Sequence, residues 1–216
     1  MSLIWTNASL EPKRKFRYIL SFSGDSATDL KDITFLAQTC DRPGFKIGAT
    51  EHKYFDKSFW HPGRVVWEPN PLTAKLVDIQ KGGGSTSDTS EMLLKVFAKA
   101  GLNGVIQTTG QVQTVGKAAA STALGDVTIR VLNSALNELP DAAAGAGGAG
   151  GASNPDVLAP ATAELWTLKN AWLESIKPEA LDYGAEDLLT VTIAIRYDWA
   201  EYQPHGATEP VIKFGA

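Results

Sequence analysis

Residues 187–199, DLLTVTIAIRYDW, constrain the fold more than any other stretch of the chain. From Leu189 onward every second residue is apolar (Leu189, Val191, Ile193, Ile195, Tyr197, Trp199), and Thr190, Thr192, Ala194, Arg196 and Asp198 alternate with them. A period of two places the first set on one side of a pleated strand and the second on the other. On a helix the same apolar residues would surround the whole circumference, and their β-branched and aromatic character suits a pleated surface. The stretch is therefore expected to form one strand with a dry face, and the rest of the chain must cover that face.

Other segments repeat the signal. Phe16, Tyr18, Leu20 and Phe22 alternate with Arg17, Ile19 and Ser21, and a weaker strand is expected over 33–40, closed by the turn Asp41-Arg42-Pro43-Gly44. His61-Pro62-Gly63-Arg64 reads as a turn before Val65-Val66-Trp67. Pro69 and Pro71 interrupt the ladder, and Leu72, Ala74 and Leu76 resume it out of phase with Val65 and Trp67, as a bulge or break at the prolines would produce. Val127, Ile129 and Val131 mark a strand over 126–132; Trp166, Leu168, Trp172 and Ile176 share a phase in one strand over 164–176; residues 201–216 read as a tail.

One helix is expected, at about 90–100 from Ser90 to Ala100. Asp88 and Glu91 have capping-box spacing, Met92, Leu93, Val96, Phe97 and Ala100 form its apolar stripe, and Gly101 can end it. The small, polar residues of 104–125 read as irregular, and the Ala/Gly-rich run within 137–160 cannot bury a core of its own. The chain is thus expected to be mainly β, a single domain over 1–216, with 101–163 as an extended insertion that includes a Gly/Ala-rich loop at 141–153.

Composition narrows the function. Hydrophobic residues at 44% and six Trp exclude a largely disordered chain. A formal charge of −4 argues against a protein that grips nucleic acid by neutralising phosphates. The single cysteine, Cys40, allows neither an intramolecular disulfide nor a paired-cysteine zinc site, which fits a reducing cytosol. The first residues lack the basic-then-apolar order of a secretory signal, and no apolar run approaches a membrane span.

Catalytic motifs are weak. Gly145, Gly147 and Gly150 satisfy G-x-G-x-x-G, but in an Ala/Gly run almost any glycine spacing arises, and no strand-to-helix context surrounds them. Gly110, Gly116 and Lys117 imitate a P-loop with one residue too many between the glycines and Ala118 where a hydroxyl is needed. The histidines, His52, His61 and His205, form no H-E-x-x-H, and there is no G-x-S-x-G. His52 and His61 could meet across a hairpin near Glu51 and Asp56 as the metal site of a hydrolase, although exposed polar residues explain them more simply. Cys40, His61 and Asp41 make a nucleophilic set only on paper, since nothing in the sequence positions them. No catalytic, cofactor or metal residue is assigned, and the chain reads as a non-enzyme.

Residues 45–60 point elsewhere. Aromatics and charges occur in both phases, so neither face is clean, and a strand of this kind suits an arm that pairs with another chain better than a layer over a core. Tyr54, Phe55, Phe59 and Trp60 are the candidate contacts between subunits. An exposed hairpin is the plain alternative.

Four stretches in order, KFRYILSF, TCDRPGFKIGATEHKYFDKSFWHPGRVVWEPNPLTAKLVD, ELWTLKNAWLESI and LDYGAEDLLTVTIAIRYDWAEY, together resemble the tail tube proteins of contractile-tailed bacteriophages. The resemblance covers roughly residues 15–100 and 164–202 and rests on order and spacing. It implies an antiparallel β-sandwich or half-barrel with one flanking helix, hexameric rings whose sheets join into a ring-wide barrel, and rings stacked into a tube inside a sheath. It also implies sheath, baseplate and tail terminator partners, a tape measure protein in the lumen before ejection, and genomic DNA that passes without tight binding. The place would be the virion tail, assembled in the bacterial host cytoplasm. Thr190, Thr192, Arg196 and Asp198 would face the lumen or a neighbour. The longer 101–163 region leaves open a tube initiator at the baseplate, and the inner tube of a related injection or secretion machine shares the same expectations.

Overall fold

The 187–199 stretch does not form one strand. The computed structural model describes residues 13–26, 30, 36–79, 88–102, 115–132, 162–184, 186–204, 207 and 209–213. In it β9 (Thr190–Arg196) ends before Tyr197 and Asp198, and β10 (Trp199–Pro204) continues in a different sheet. The neighbouring strand bends at the same level. β7 (Thr162–Lys169) and β8 (Trp172–Pro178) are separated by Asn170, at φ 54°, and Ala171. Trp199 pairs with Lys169 and Arg196 with Trp172, so two strands turn the corner together and pass from one sheet to the other. Asp198 pins the corner. Its backbone N–H donates to Lys169 O at 3.1 Å, and its carboxylate accepts from Lys117 Nζ at 2.7 Å and Asn170 Nδ2 at 2.9 Å.

The remaining strands are β1 (Tyr18–Phe22), β2 (Ala37–Cys40), β3 (Gly44–Tyr54), β4 (Lys57–Glu68), β5 (Leu72–Val77) and β6 (Val127–Leu132). One sheet has the order β1-β6-β7-β10, the second β2-β5-β9-β8, and among the described strands β3 and β4 pair only with each other. Every ladder is antiparallel. The mainly-β sandwich or half-barrel is therefore the observed architecture. On the side away from the corner, Tyr18 Oη donates to Ala37 O at 2.9 Å and ties β1 to β2 across the gap between the sheets.

The alternation read from sequence holds where it decides the core. Val191, Ile193 and Ile195 are fully buried against Leu72, Ala74 and Leu76 in the same sheet and Leu20, Val127, Ile129 and Leu168 from the other. Each such side chain contributes about 1.5–3 kcal/mol by leaving water. Leu189, expected inside, precedes the strand and is 38% exposed. Residues 201–204, expected in a tail, complete the first sheet. The strand expected over 164–176 is two strands, and the break at Pro69 and Pro71 separates the β3–β4 hairpin from β5.

Two helices are described where one was expected: α1 (Thr89–Lys99) and α2 (Lys117–Leu124). They contact each other and β8, and Met92, Leu93, Val96, Ala120, Ala123 and Leu124 join the core. The sequence KAAASTAL hides α2 because its apolar surface is mostly alanine, a strong helix former that gives little periodic contrast. The chain after β1 caps this helix: Gly24, Asp25 and Ser26 donate their N–H groups to the carbonyls of Leu124, Thr122 and Ala123. The capping box at α1 is not formed. Asp88 makes no side-chain cap bond, and Glu91 pairs with Lys95 at 2.9 Å. Ser90 Oγ instead donates to Asp78 Oδ2 at 2.8 Å, and Thr89 Oγ1 accepts from Ile79 N, which anchors the helix to the end of β5. The Gly/Ala-rich loop 141–153, most of region 101–163 and His205 lie outside the described residues.

Candidate assembly surfaces

The expected turn at His61-Pro62-Gly63-Arg64 lies within β4, and the reversal is instead the two-residue loop Phe55-Asp56, since Tyr54 pairs with Lys57. The result is a hairpin of 11 and 12 strand residues in which only Gly44 and Trp67 are half-buried and every other strand residue is exposed. A two-stranded ribbon is marginal alone in water, so an arm this long gains stability when something covers it.

Toward its base, one face is cleaner than the sequence suggested. Ile47 pairs with Val65, but Ala49 pairs with Pro62, so Gly63 and Arg64 together stand opposite Gly48. That bulge reverses the phase of β4. By register Phe45, Ile47, Ala49, Glu51 and Lys53 then share one face with Ser58, Trp60, Pro62, Val65 and Trp67, while Lys46, Thr50, His52, Tyr54, Lys57, Phe59, His61 and Val66 occupy the other, so the first face is apolar toward the base of the arm and charged toward its tip. Glycine suits the crossing, because a Cβ on Gly63 would lie 3.1 Å from Gly48 O. The apolar face includes the edge-to-face pair Phe45–Trp67, with ring centroids 6.0 Å apart. Exposures of 53% for Phe45, 64% for Trp60 and 57% for Val65 leave it uncovered in the monomer.

The four candidate contacts are distributed over the arm. Trp60 belongs to the apolar face, Tyr54 and Phe59 to the polar one, and Phe55 stands at the tip, 88% exposed, with its ring 4.7 Å from that of Tyr54. Phe55 takes φ 49° in the first loop position, where glycine is the usual occupant. An aromatic there costs about 1–2 kcal/mol of backbone strain, a cost that a contact made by the ring would offset.

His52 and His61 do share a face, as diagonal neighbours, because His52 pairs with Phe59 and His61 with Thr50. Among the described residues no group of three or more His, Cys, Asp or Glu is placed to hold a metal ion. The Cys40 thiol donates to Asp41 O at 3.3 Å, and burial, followed by the charge of Asp41, pushes its pKa up to about 12. It remains a thiol at neutral pH, the wrong state for a nucleophile.

Of the strand residues expected to face a lumen or neighbour, Thr192 and Arg196 are half-buried on β9, whereas Thr190 is only 3% exposed and donates its hydroxyl to Glu179. Asp198 lies at the corner, off the strand, where hydrogen bonds from Lys117 and then Asn170 hold its carboxyl below the ordinary value. The outer face of this sheet carries two ion pairs. Arg196 pairs with Glu174 at 2.9 Å, and Lys75, opposite Thr192, pairs with Glu179 at 3.5 Å, with Lys177 also opposite Thr192.

A third feature escaped the sequence reading. Glu164 sits in the inward phase of β7 with Trp166 and Leu168, is 5% exposed, and accepts from Lys13 Nζ and Arg42 Nη1, both at 2.7 Å. A carboxylate in a core-facing phase was the available signal. Burial raises its pKa, but the hydrogen bonds and charges of Lys13 and Arg42 outweigh this and hold the carboxyl below 4.5. A depressed carboxylate adds stability that is complete above its unfolded value and is lost as pH falls through the folded one. Glu164→Gln should therefore lower the unfolding free energy by about 1 kcal/mol at pH 7, because both cations are half in water. In urea melts across pH, the gap from the native chain should close as pH falls below 4.5. A gap that persists to low pH would show that packing, not charge, holds the site.

No helix among the described residues is long and apolar enough to cross a membrane. No family model matches the chain, and no curated protein matches it. Solved structures do. A chain of the anti-feeding prophage baseplate, six-fold symmetrised, matches with TM-score 0.53 and 13% identity, over 92% of this chain and 99% of that one. A chain of the sheath/tube terminator of the PVC extracellular contractile injection system, in its extended state, matches with TM-score 0.52 and 17% identity, over 91% and 99%. The chain therefore shares its fold with chains of contractile injection systems.

Proposed function

We propose that the protein is a structural subunit of a contractile tail tube of a bacteriophage, six copies to a ring, the rings stacked around a lumen that conducts DNA. The observation that carries this reading is the β3–β4 arm, which is exposed, has an apolar face toward its base, and pairs with no other described strand. Monomers shield such ribbons, and assemblies use them. Head-to-tail contacts close into a ring laterally and remain open along the axis, which is how one subunit builds a tube. An acidic chain with ion-paired charges on the outer face of β9 suits a wall along which a polyanion slides without binding. Sheath, baseplate, terminator and tape measure proteins are the partners of this reading, and the virion is its place.

A second reading is the tube, or a tube-end subunit, of an injection machine that carries protein. The sources of the two matched structures, a baseplate and a sheath/tube terminator, favour it. Negative-stain micrographs of the purified chain at rising concentration test what both readings share. Hollow rings or tubes are expected, and a featureless field of monomers at the highest concentration would reject both. Nuclease-protected DNA in particles from producing cells separates the first reading from the second.

A further inference from the structure

The gap between β1 and β2 opens into a cleft of about 620 Å³. Lys13, Arg14, Lys15 and Arg17, from the segment entering β1, line one side, and Arg42 lines the other. Among the described lining residues only Asp41 is acidic, and its Oδ2 already accepts from Thr73 N. The buried Glu164 neutralises one further charge through Lys13 and Arg42. With Arg17 set aside, four cations against these two carboxylates leave the described lining positive by two, and neither Arg14 nor Lys15 is in an ion pair with another described residue. Ile129 and Val131 give it an apolar floor.

The matching surface lies on the same chain but does not line this cleft. The connection from β8 to β9 carries Glu179, paired with Lys75, and three further exposed carboxylates, Asp182, Glu186 and Asp187, none in an ion pair with another described residue. Gly184 N donates to Asp182 Oδ1 at 2.9 Å and turns the loop, and beside these acids Leu181, Tyr183 and Leu188 are largely or fully exposed. Negative charges with apolar side chains beside them match a cleft whose described lining has an excess of positive charge and an apolar floor.

We propose that the acidic 181–188 loop of one copy docks in the basic β1–β2 cleft of the next. One chain carries both halves of the contact, so the contact is head-to-tail and propagates around a ring. This deepens the assembly reading and rests on it. Complementary charge would fix which edges meet and make ring formation sensitive to salt.

The test uses two full-length variants, Arg14→Glu/Lys15→Glu and Glu186→Lys/Asp187→Lys, with assembly followed by sedimentation at low salt. All four residues are exposed, so the melting temperatures should stay close to that of the native chain. Each variant alone should need about a tenfold higher concentration to assemble, or more. An equal mixture should assemble like the native chain, because each altered surface then meets its complement. Either variant assembling normally, or a mixture that stays dissociated, would overturn the docking while native rings keep the tube reading intact. A native chain that never associates would overturn both. Retardation of a single-stranded oligonucleotide by the native chain, lost in Arg14→Glu/Lys15→Glu, would assign the cleft to nucleic acid and also overturn the proposal.

Discussion

Serine in place of Phe55, Phe59 and Trp60 is expected to leave the subunit folded and to stop tube growth. None of the three belongs to the core, and their exposures of 88%, 49% and 64% mean that their removal takes little packing from the monomer. In an interface, by contrast, aromatic anchors are often worth about 2 kcal/mol or more each, roughly a thirty-fold change in affinity for each ring lost. Phe55→Gly is the sharper form of the experiment. Glycine relieves the φ of 49° and should make the free hairpin slightly more stable, while removing the ring at its tip. A subunit that melts higher and assembles less would separate the role of the arm in assembly from any role in folding. Tube growth undiminished in the triple variant would remove the arm from the account.

Gly125→Ala is expected to have the largest effect on the fold. Gly125 ends α2 at φ 71°, and a Cβ there would lie 2.1 Å from Gly24 N, inside the backbone contact by which residues 24–26 cap the helix. With ψ at −159° this backbone conformation is open essentially to glycine alone, and it costs another residue about 1–3 kcal/mol. The overlap with backbone must also be relieved, either by parting β1 from α2 or by unwinding the last helical turn, so the total should be on the order of 3 kcal/mol. Gly116→Ala is the control. Gly116 also flanks α2, at its start, but an added Cβ meets nothing within 4 Å, and the loss should stay under about 1 kcal/mol. Equal losses in urea unfolding for the two variants would contradict the close approach at Gly24.

These two sites also mark where the sequence is legible and where it is not. Alternation at Val191, Ile193 and Ile195, at Leu72, Ala74 and Leu76, and at Val127, Ile129 and Val131 identified buried faces, because a half-buried strand writes its environment directly into every second residue. The same signal concealed the corner at Tyr197-Asp198. Tyr197 is buried and Trp199 half-buried, so the period of two runs through a bend at which the strand changes sheets. Nothing in period two distinguishes a bent ladder from a straight one. In the arm the failure was of the opposite kind. The bulge at Gly63-Arg64 breaks the phase, so a face that is continuous in space, from Phe45 to Trp60, reads as mixed along the chain.

The surfaces fared likewise. Tyr54, Phe55, Phe59 and Trp60 stood out as exposed aromatics without knowledge of the register, yet which of them share a face depended on the bulge. Thr190 looked like a surface hydroxyl by phase and is covered by Glu179, which comes from beyond the end of β8. The basic run Lys13-Arg14-Lys15-Phe16-Arg17 was visible in the sequence, but nothing in it showed that it lines a cleft. Residues 13–17 and 38–42 meet only because β1 and β2 come together at the edges of two sheets, a long-range consequence of topology that no local pattern contains.

Native mass spectrometry of the purified chain across a concentration series tests the central claim most directly. A subunit that closes head-to-tail rings of six predicts a discrete species at six times the 23.1 kDa chain mass, with multiples of that mass as rings stack. A single 23.1 kDa species at every concentration, or a dimer that grows no further, would contradict the account.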